Sequence, residues 1–298
     1  MDKQIFWIAS YPKSGSTLLR SILSSIFFSE DGLFNFKLLK NIPIIEDTIN
    51  LNFIKKTHPK DYDKIHKLEI LSKYWEMFQS KKNLGFESDF LFVKTHHCLI
   101  KIGSNSFTSD LSTRGIIYVV RDPRDVVISY AHHFNSSIEE SLKKLLNTKS
   151  ALEWGDNNNL FFNKPKPISF VSSWDNNCKS WIQNKFHCPF LLIKYEDMIK
   201  EKHKTVQNLI KFFENKYNFQ FQNLDSKITN IVKSTNFELL KKSETKFGFS
   251  ESQNKQFFRK GTSNQWQDIL NKDQIFRIEQ HFNSLMKKFG YKTIYYNE

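Results

Sequence analysis

IFWIASYPKSGSTLL, residues 5–19, is the stretch that determines the fold, and it also predicts an anion site. The apolar run Ile5 to Ala9 predicts a buried strand, and the apolar spacing from Thr17 onward predicts a helix. A strand, a tight turn and a helix N-terminus direct backbone N–H groups and the positive end of a helix dipole at one point. Gly15 lets the backbone approach a ligand closely. The segment also supplies a cation and hydroxyl groups, from Lys13, Ser14, Ser16 and Thr17.

This segment differs from the usual nucleotide P-loop. That motif places Gly-Lys-Ser/Thr at the helix start and uses the final hydroxyl to hold magnesium. Here Lys13 precedes Gly15, the sequence contains no Gly-Lys-Thr, and no convincing aspartate-ended strand follows that could hold the metal. We therefore expect a phosphate or sulfate that is bound without a metal ion.

A second cluster, RDPRDVVISYAHHF, follows another apolar run that predicts a strand. Arg121 stands at the end of that strand, Asp122 suits a helix N-cap, and Pro123 suits an early helical position. Ser129 lies about two helical turns beyond Arg121, so the two side chains can share one phosphate. From this string alone, a solvated cluster formed by Arg121, Arg124 and the two aspartates is an equal alternative.

A third cluster, FFRKGTSNQW at residues 257–266, carries two cations and a glycine. It has little periodicity and is followed by a helical segment. We expect a mobile basic loop that closes over an anion, although this string alone is no more specific than a surface loop.

At these three clusters the chain closely resembles the cytosolic-type sulfotransferases, which use 3′-phosphoadenosine 5′-phosphosulfate (PAPS) as sulfuryl donor. YPKSGST resembles the family's 5′-phosphosulfate loop, RDPRDVVIS its 3′-phosphate motif, and RKG its C-terminal nucleotide-binding loop. The motifs occur in the family's order, and the resemblance spans nearly the whole chain. It implies that PAPS is held by a set of donor-site residues: Lys13, Ser14, Gly15, Ser16, Thr17, Arg121, Ser129, Arg259, Lys260 and Gly261.

FVKTHH, residues 92–97, resembles the family's strand-end Lys-Thr-His segment. The resemblance implies that His96 is the catalytic base and that Lys94 lies on the acceptor side. The neighbouring His97 is the alternative candidate for the base. Sulfuryl transfer resembles phosphoryl transfer, a loose in-line displacement in which charge develops on the leaving phosphate. Lys13 is the candidate for stabilising that charge, and a histidine can remove the acceptor's proton near neutral pH.

Two further segments resemble the family's adenosine pocket. LLIKYEDM implies that Tyr195 belongs to that pocket, and STNFELL implies that Thr235 and Phe237 surround the adenine. The chain departs from the family at Leu18, where a tryptophan usually stacks on the adenine. The family's C-terminal dimerisation string is not recognisable either, which leaves the oligomeric state open.

Apolar runs alternate with helical stretches along the chain. This order predicts an α/β class: a P-loop-like three-layer fold with a mostly parallel central sheet flanked by helices. The candidate strands are Ile5–Ala9, Phe90–Val93, Ile116–Val120 and Phe190–Ile193. With 298 residues, 39% of them hydrophobic, the chain can bury a full core, and we expect a single sulfotransferase domain over residues 1–298.

The net charge of +13 favours polyanionic ligands, but many lysines occur as scattered pairs, so we expect solvated faces and no nucleic-acid partner. The three cysteines show no metal-ligand spacing and leave an odd count for disulfide pairing, so a reducing compartment fits best. The N-terminus enters a strand almost at once, and no segment is apolar enough to span a membrane. We expect a cytoplasmic protein with no metal and no stable membrane insertion.

The acceptor is the least determined part of the function. The 29 phenylalanines suggest an aromatic core, and some could line an apolar pocket for a hydrophobic acceptor. We expect a small-molecule or a glycan- or lipid-like acceptor. Two other classes stay open: a kinase-like P-loop enzyme, against which the missing Gly-Lys-Ser/Thr counts, and a non-catalytic binder of nucleotide or nucleic acid, against which the Lys94-Thr95-His96 string counts.

Overall fold

Four strands form a central parallel sheet in the order β2-β1-β5-β8, and helices flank it. The computed structural model describes residues 4–49, 51–85, 88–153, 166–252 and 256–296. The strands within these ranges are β1 Ile5–Ser10, β2 Leu91–Thr95, β3 Lys101–Ile102, β4 Asn105–Ser106, β5 Thr113–Val120, β6 Ala151–Glu153, β7 Ile168–Phe170 and β8 Phe190–Lys194. The predicted α/β class is confirmed.

The helices of the described residues lie mostly between and after these strands. They are α1 Ser16–Phe28, α2 Leu51–Thr57, α3 Pro59–Tyr62, α4 Leu68–Leu71, α5 Trp75–Phe78, α6 Lys81–Leu84, α7 Pro123–Phe134, α8 Ile138–Leu146, α9 Trp174–Ile182, α10 Tyr195–Lys200, α11 Lys202–Tyr217, α12 Leu224–Ser234, α13 Phe237–Phe247, α14 Trp266–Ile269 and α15 Lys272–Lys288. Three 3₁₀ helices cover Phe36–Asn41, Ile45–Thr48 and Ser72–Tyr74.

β1 is the most buried of the sheet strands. All six of its residues are buried, as expected for a parallel strand that is covered on both faces. β1 pairs in parallel with β2, in a register that places Ile5 opposite Leu91 and Ala9 opposite Thr95. The strand ends at Ser10, and the loop that leads to α1 follows at once.

The chain divides into two compact units. The first unit comprises Met1–Tyr11, Pro43–Tyr118 and Asn147–Phe190, and the second comprises Pro12–Ile42, Val119–Leu146 and Leu191–Glu298. In the first unit, β6 and β7 form a short antiparallel pair beside the sheet strands. The second unit contains α1, α7, α8 and the helices from α10 onward.

α7 begins as its sequence predicts. The Asp122 side chain accepts a hydrogen bond from the Arg124 backbone N–H, and Pro123 occupies the first helical position. The helix ends at Phe134, and the next residue, Asn135, caps it in a left-handed conformation by donating its backbone N–H to the Ala131 carbonyl. α15, the last helix, carries a capping box at its N-terminus and buries the apolar face that its spacing predicts.

A buried charge network fixes α7 within the second unit. The Arg124 guanidinium, 2% exposed, lies 2.6 Å from a carboxylate oxygen of Asp122 and 2.6 Å from one of Glu279 on α15. It also donates to the Lys292 carbonyl at 3.0 Å and lies 3.8 Å from the ring centroid of Trp266. The alternative of a solvated charge cluster is therefore wrong, because these groups are buried and paired.

We expect Arg124→Met to lower the free energy of unfolding by about 3–5 kcal/mol, because two buried carboxylates would lose their counter-charge. Urea denaturation at pH 7 measures this loss. Arg277→Met is the control: that arginine pairs with carboxylates at the surface, and its loss should cost less than about 1 kcal/mol. Equal losses in the two variants would contradict the structural importance of the Arg124 network.

Candidate active site

The loop between β1 and α1 has the backbone that an anion cradle requires. Lys13 and Gly15 both have positive φ, 67° and 104°. A Cβ on Gly15 would lie 2.5 Å from a ring carbon of Tyr195, so only glycine allows the loop to pack against that ring. The Ser14 hydroxyl is fully buried and has no hydrogen-bond partner among the described residues. A ligand or a water molecule could satisfy a buried hydroxyl of this kind.

The start of α1 continues this cradle. Ser16 is the first helical residue, and within the described residues no side chain caps the helix N-terminus. Its backbone N–H groups are therefore available to an anion. Thr17, which the sequence assigned to the same site, instead donates its hydroxyl hydrogen to Glu251 at 3.1 Å. Arg20 pairs with the same carboxylate, so Glu251 contacts α1 through two side chains.

Arg121 connects two of the three predicted anion-binding segments. The guanidinium follows β5, is buried, and donates to the carbonyls of Lys13 and Thr262 at 3.3 Å each. It lies 4.2 Å from the ring centroid of Tyr195. Its Nε is buried and lacks a hydrogen-bond partner in the part of the chain that is described. The arginine is thus held in place while one donor group stays available to a ligand.

A cavity in the second unit brings other predicted residues together. It is lined by Lys13, Ser129, His132, His133, Gln256, Phe257 and Arg259. Three of these are predicted donor-site residues from three separate segments of the chain. The Lys13 ammonium nitrogen lies 4.2 Å from the ring centroid of Phe257. The sequence interpretation missed His132, His133, Gln256 and Phe257 as lining residues.

The basic glycine loop packs on the predicted adenosine residues. Gly261 has a φ of 64°, and a Cβ there would lie 2.2 Å from the ring of Phe237. Thr235 is fully buried and donates its hydroxyl hydrogen to the Ile231 carbonyl at 2.7 Å. Its hydroxyl oxygen can still accept a hydrogen bond. Lys260, by contrast, is exposed and is not among the cavity-lining residues.

Several phenylalanine rings pack together beside the loop that contains Gly261. Phe258 lies 5.8 Å from Phe237, 5.4 Å from Phe249 and 5.9 Å from Phe36, measured between ring centroids. Phe36 and Phe249 are 4.9 Å apart. The second unit therefore has several aromatic rings near Phe237. It has no ring at position 18, where related proteins usually carry a tryptophan and this chain has a leucine.

In the first unit, His96 is oriented by the end of β1. Its Nδ1 lies 2.9 Å from the carbonyl oxygen of Ser10 and 3.2 Å from the Ser10 hydroxyl. A carbonyl only accepts, so Nδ1 carries the proton and, in the neutral ring, Nε2 carries the lone pair. Asn177 donates to the His96 carbonyl at 3.0 Å and holds the backbone.

His97 lies in an aromatic core. Its ring stacks on Phe107 with centroids 4.2 Å apart and an interplanar angle of 8°, and it meets the edge of Trp75 at 5.0 Å. Nδ1 donates to the Cys98 carbonyl at 2.7 Å, while Nε2 is buried with no partner among the described residues. Burial lowers the pKa of His97 to about 4, against the opposing effect of the Cys98 carbonyl.

Lys94, at the end of β2, is buried near a carboxyl group that the sequence interpretation missed. The Lys94 backbone N–H donates to the Pro43 carbonyl at 2.8 Å, which brings the 3₁₀ helix with Glu46 alongside. Ser169 donates to Glu46. Burial raises the pKa of Glu46 to about 7, and the positive charge of Lys94 opposes that rise. No sequence motif marks Glu46.

The described ranges lack two further features, a metal cluster and a membrane-spanning helix. Within them, no group of three or more His, Cys, Asp or Glu side chains could hold a metal ion. No helix there is both long and apolar enough to cross a membrane.

A cradle at a helix N-terminus, a buried strand-end arginine and a basic glycine loop define an α/β protein that binds an anionic ligand. The family model described as "Sulfotransferase domain" matches residues 3–290. The chain therefore belongs to the sulfotransferase domain family, and it is a sulfotransferase, as the motifs predicted.

Curated relatives agree with this assignment. The chain is 26% identical over 287 residues to sulfotransferase 2A2 of Rattus norvegicus, covering 95% of this chain and 84% of the relative. It is 24% identical over 283 residues to flavonol 3-sulfotransferase of Flaveria bidentis, covering 92% and 79%. It is 24% identical over 306 residues to the amine sulfotransferase of Oryctolagus cuniculus, covering 99% and 84%.

Solved structures share the fold. Mouse sulfotransferase SULT7A1 complexed with PAP aligns with a TM-score of 0.59 and 18% identity, over 96% of this chain and 85% of that one. Retinol dehydratase in a complex with retinol and PAP aligns with a TM-score of 0.59 and 18% identity, over 96% and 82%.

We expect Gly261→Ala to lower the free energy of unfolding by about 1–3 kcal/mol more than Gly85→Ala does. Both glycines have nearly the same φ, 64° and 65°, but only at Gly261 would the new methyl group collide with a ring, that of Phe237. Urea denaturation of the two variants isolates the collision from the backbone strain. Equal losses would show that Phe237 moves aside at no cost.

Proposed function

We propose that this sulfotransferase takes PAPS as its donor and moves the sulfuryl group in line to a hydroxyl or amine of a small acceptor. The observation that carries the proposal is Arg121. Its guanidinium joins the loop of Lys13 to the loop that follows Gly261, within one compact unit. The PAP complexes of the similar structures support the same donor. PAP is 3′-phosphoadenosine 5′-phosphate, the product that forms when PAPS has transferred its sulfuryl group.

In this proposal, two parts of the second unit bind the two anionic ends of the donor. Backbone N–H groups from Gly15 to Thr17 and the Ser14 hydroxyl bind the 5′-phosphosulfate. Arg121, Ser129 and the loop of Arg259, Lys260 and Gly261 bind the 3′-phosphate. The buried, unpartnered Ser14 hydroxyl and Arg121 Nε support these roles, because ligand oxygens would satisfy both groups.

The adenosine would lie against Tyr195, Thr235 and Phe237. Thr235 keeps an acceptor oxygen that suits the adenine amino group. Phe258 and its neighbours Phe36 and Phe249 supply aromatic surface beside Phe237. We propose that this aromatic surface replaces the tryptophan that is absent at Leu18.

Lys13 would stabilise the charge that develops on the leaving phosphate. Its positive φ belongs to the turn that precedes α1, so the ammonium group is carried by the same loop as the anion cradle. Because the leaving oxygen gains charge only as the bond breaks, a fixed cation there lowers the barrier more than it strengthens ground-state binding.

On the acceptor side, we propose His96 as the general base and Lys94 as a neighbouring cation. The Ser10 carbonyl orients the His96 ring so that Nε2 can remove the acceptor's proton. His97 suits the role less well, because burial lowers its pKa to about 4.

The acceptor class is proposed from the relatives. Their names include a 3-alpha-hydroxysteroid, a flavonol and an amine sulfotransferase, and solved complexes include retinol and androsterone. We propose a small hydrophobic molecule with a hydroxyl or amine group. We also propose that residues 1–298 act as one catalytic domain in the cytoplasm, without a metal ion or nucleic acid.

We expect PAP to raise the melting temperature more than AMP, ADP or ATP do, with no effect of magnesium. A ligand at about 100 times its Kd adds about 2.7 kcal/mol of stability. Arg121→Ala should remove the preference of the protein for PAP over AMP. Differential scanning fluorimetry with and without magnesium measures these shifts. A preference for ATP with magnesium, or no response to any nucleotide, would show that PAPS is not the donor.

We expect His96→Asn to bind PAP normally while sulfuryl transfer falls by about 10²–10⁴-fold, because the general base is lost. His97→Phe, which keeps a ring on Phe107, should retain most of the activity. The assay measures PAP release from PAPS with a panel of a phenol, a steroid alcohol and an aliphatic amine. If His97→Phe lost activity while His96→Asn kept it, the assignment of the two histidines would be reversed.

A further inference from the structure

We propose that His132 and His133 bind the 3′-phosphate of the donor together with Ser129 and Arg259. This inference rests on the proposed function and adds two residues to its site. The ligand group is a phosphate monoester on the ribose 3′-oxygen. A monoester of this kind carries close to two negative charges near neutral pH and offers three acceptor oxygens.

The first observation is the composition of the cavity wall. Of the seven described residues that line the cavity, Arg259 is a cation, His132 and His133 carry imidazole N–H groups, and Ser129 carries a hydroxyl. Lys13, the cation proposed for the leaving phosphate, also lines the cavity. No carboxylate is among these seven residues. A wall of donors and cations suits a phosphate, whose oxygens only accept hydrogen bonds at this charge.

The second observation is the spacing on α7. His132 and His133 come three and four residues after Ser129, which places all three side chains on one face of the helix. That face is also the one from which Ser129 would reach the phosphate. A side chain on the opposite face of α7 would point away from the phosphate.

The third observation is how the histidines are held. The ring of His133 meets the ring of Phe257 edge-on, with centroids 5.8 Å apart and an interplanar angle of 90°. Lys13 lies against the same phenylalanine at 4.2 Å. Phe257 thus keeps an imidazole and an ammonium group near each other at one cavity. An anion bound at the cavity would therefore find an ammonium group and an imidazole N–H on the same side.

A simpler role for these histidines exists in the helix itself. Both lie in the last turn of α7, where histidine interacts favourably with the helix dipole. That role requires no ligand and no selectivity between nucleotides. The test must therefore measure selectivity and not only stability.

The experiment compares PAP with AMP, which lacks the 3′-phosphate, by isothermal titration calorimetry at pH 7. The variants are His132→Ala and His133→Phe, the second of which keeps a ring against Phe257. We expect each to raise the Kd for PAP by about tenfold and the Kd for AMP by less than twofold, because one charge-assisted hydrogen bond to phosphate is lost. The control His281→Ala, an exposed histidine on α15, should change neither Kd.

Arg259→Ala separates this inference from the proposed function. Arg259→Ala could raise the Kd for PAP more than the Kd for AMP while both histidine variants bind PAP as the wild type does. In that case the inference is wrong and the proposed donor stands. Equal weakening of PAP and AMP by the histidine variants would also overturn the inference. If the wild-type protein does not bind PAP, the proposed donor fails, and the inference fails with it.

Discussion

The second unit depends on one ring, that of Tyr195 at the start of α10. Gly15 packs so closely on this ring that a Cβ would lie 2.5 Å from it, and the Arg121 guanidinium lies 4.2 Å from its centroid. The loop before α1 and the residue after β5 are thus positioned against the same rigid surface. Because Arg121 also donates to the carbonyl of Lys13, any displacement of the ring would move the cation and the anion cradle together.

The string that begins with Arg121 divides its charges between structure and binding. The Arg124 guanidinium is paired with the carboxylates of Asp122 and Glu279, and this pairing stabilises the fold. Asp125 accepts from backbone N–H groups in the segment after Gly261, at 2.7 and 3.1 Å, which orders that segment. Burial raises the pKa of Asp125, and Arg121 opposes the rise. Desolvation is costly for each of these charges, so each needs its buried partners.

Local patterns predicted the framework of this protein well. The strand before Tyr11 and the helix after Gly15 follow from apolar runs and turn residues, and the cap at Asp122 follows from its place before Pro123. What local patterns missed are contacts between distant segments. Glu251 meets Thr17 across 234 residues, and Glu46 meets Ser169 across 123. No periodicity encodes such pairs, because they depend on which loops the fold brings together.

The neighbouring histidines after β2 show why motif position alone does not assign chemistry. The two are consecutive in the chain, yet His96 contacts a backbone carbonyl and His97 contacts three aromatic rings. A carbonyl on Nδ1 fixes the tautomer and leaves a basic Nε2. An aromatic enclosure disfavours the charged imidazolium, so the second ring stays neutral and a poor proton acceptor. Ser10 and Phe107, which both lie outside the motif, therefore distinguish a candidate base from a core residue.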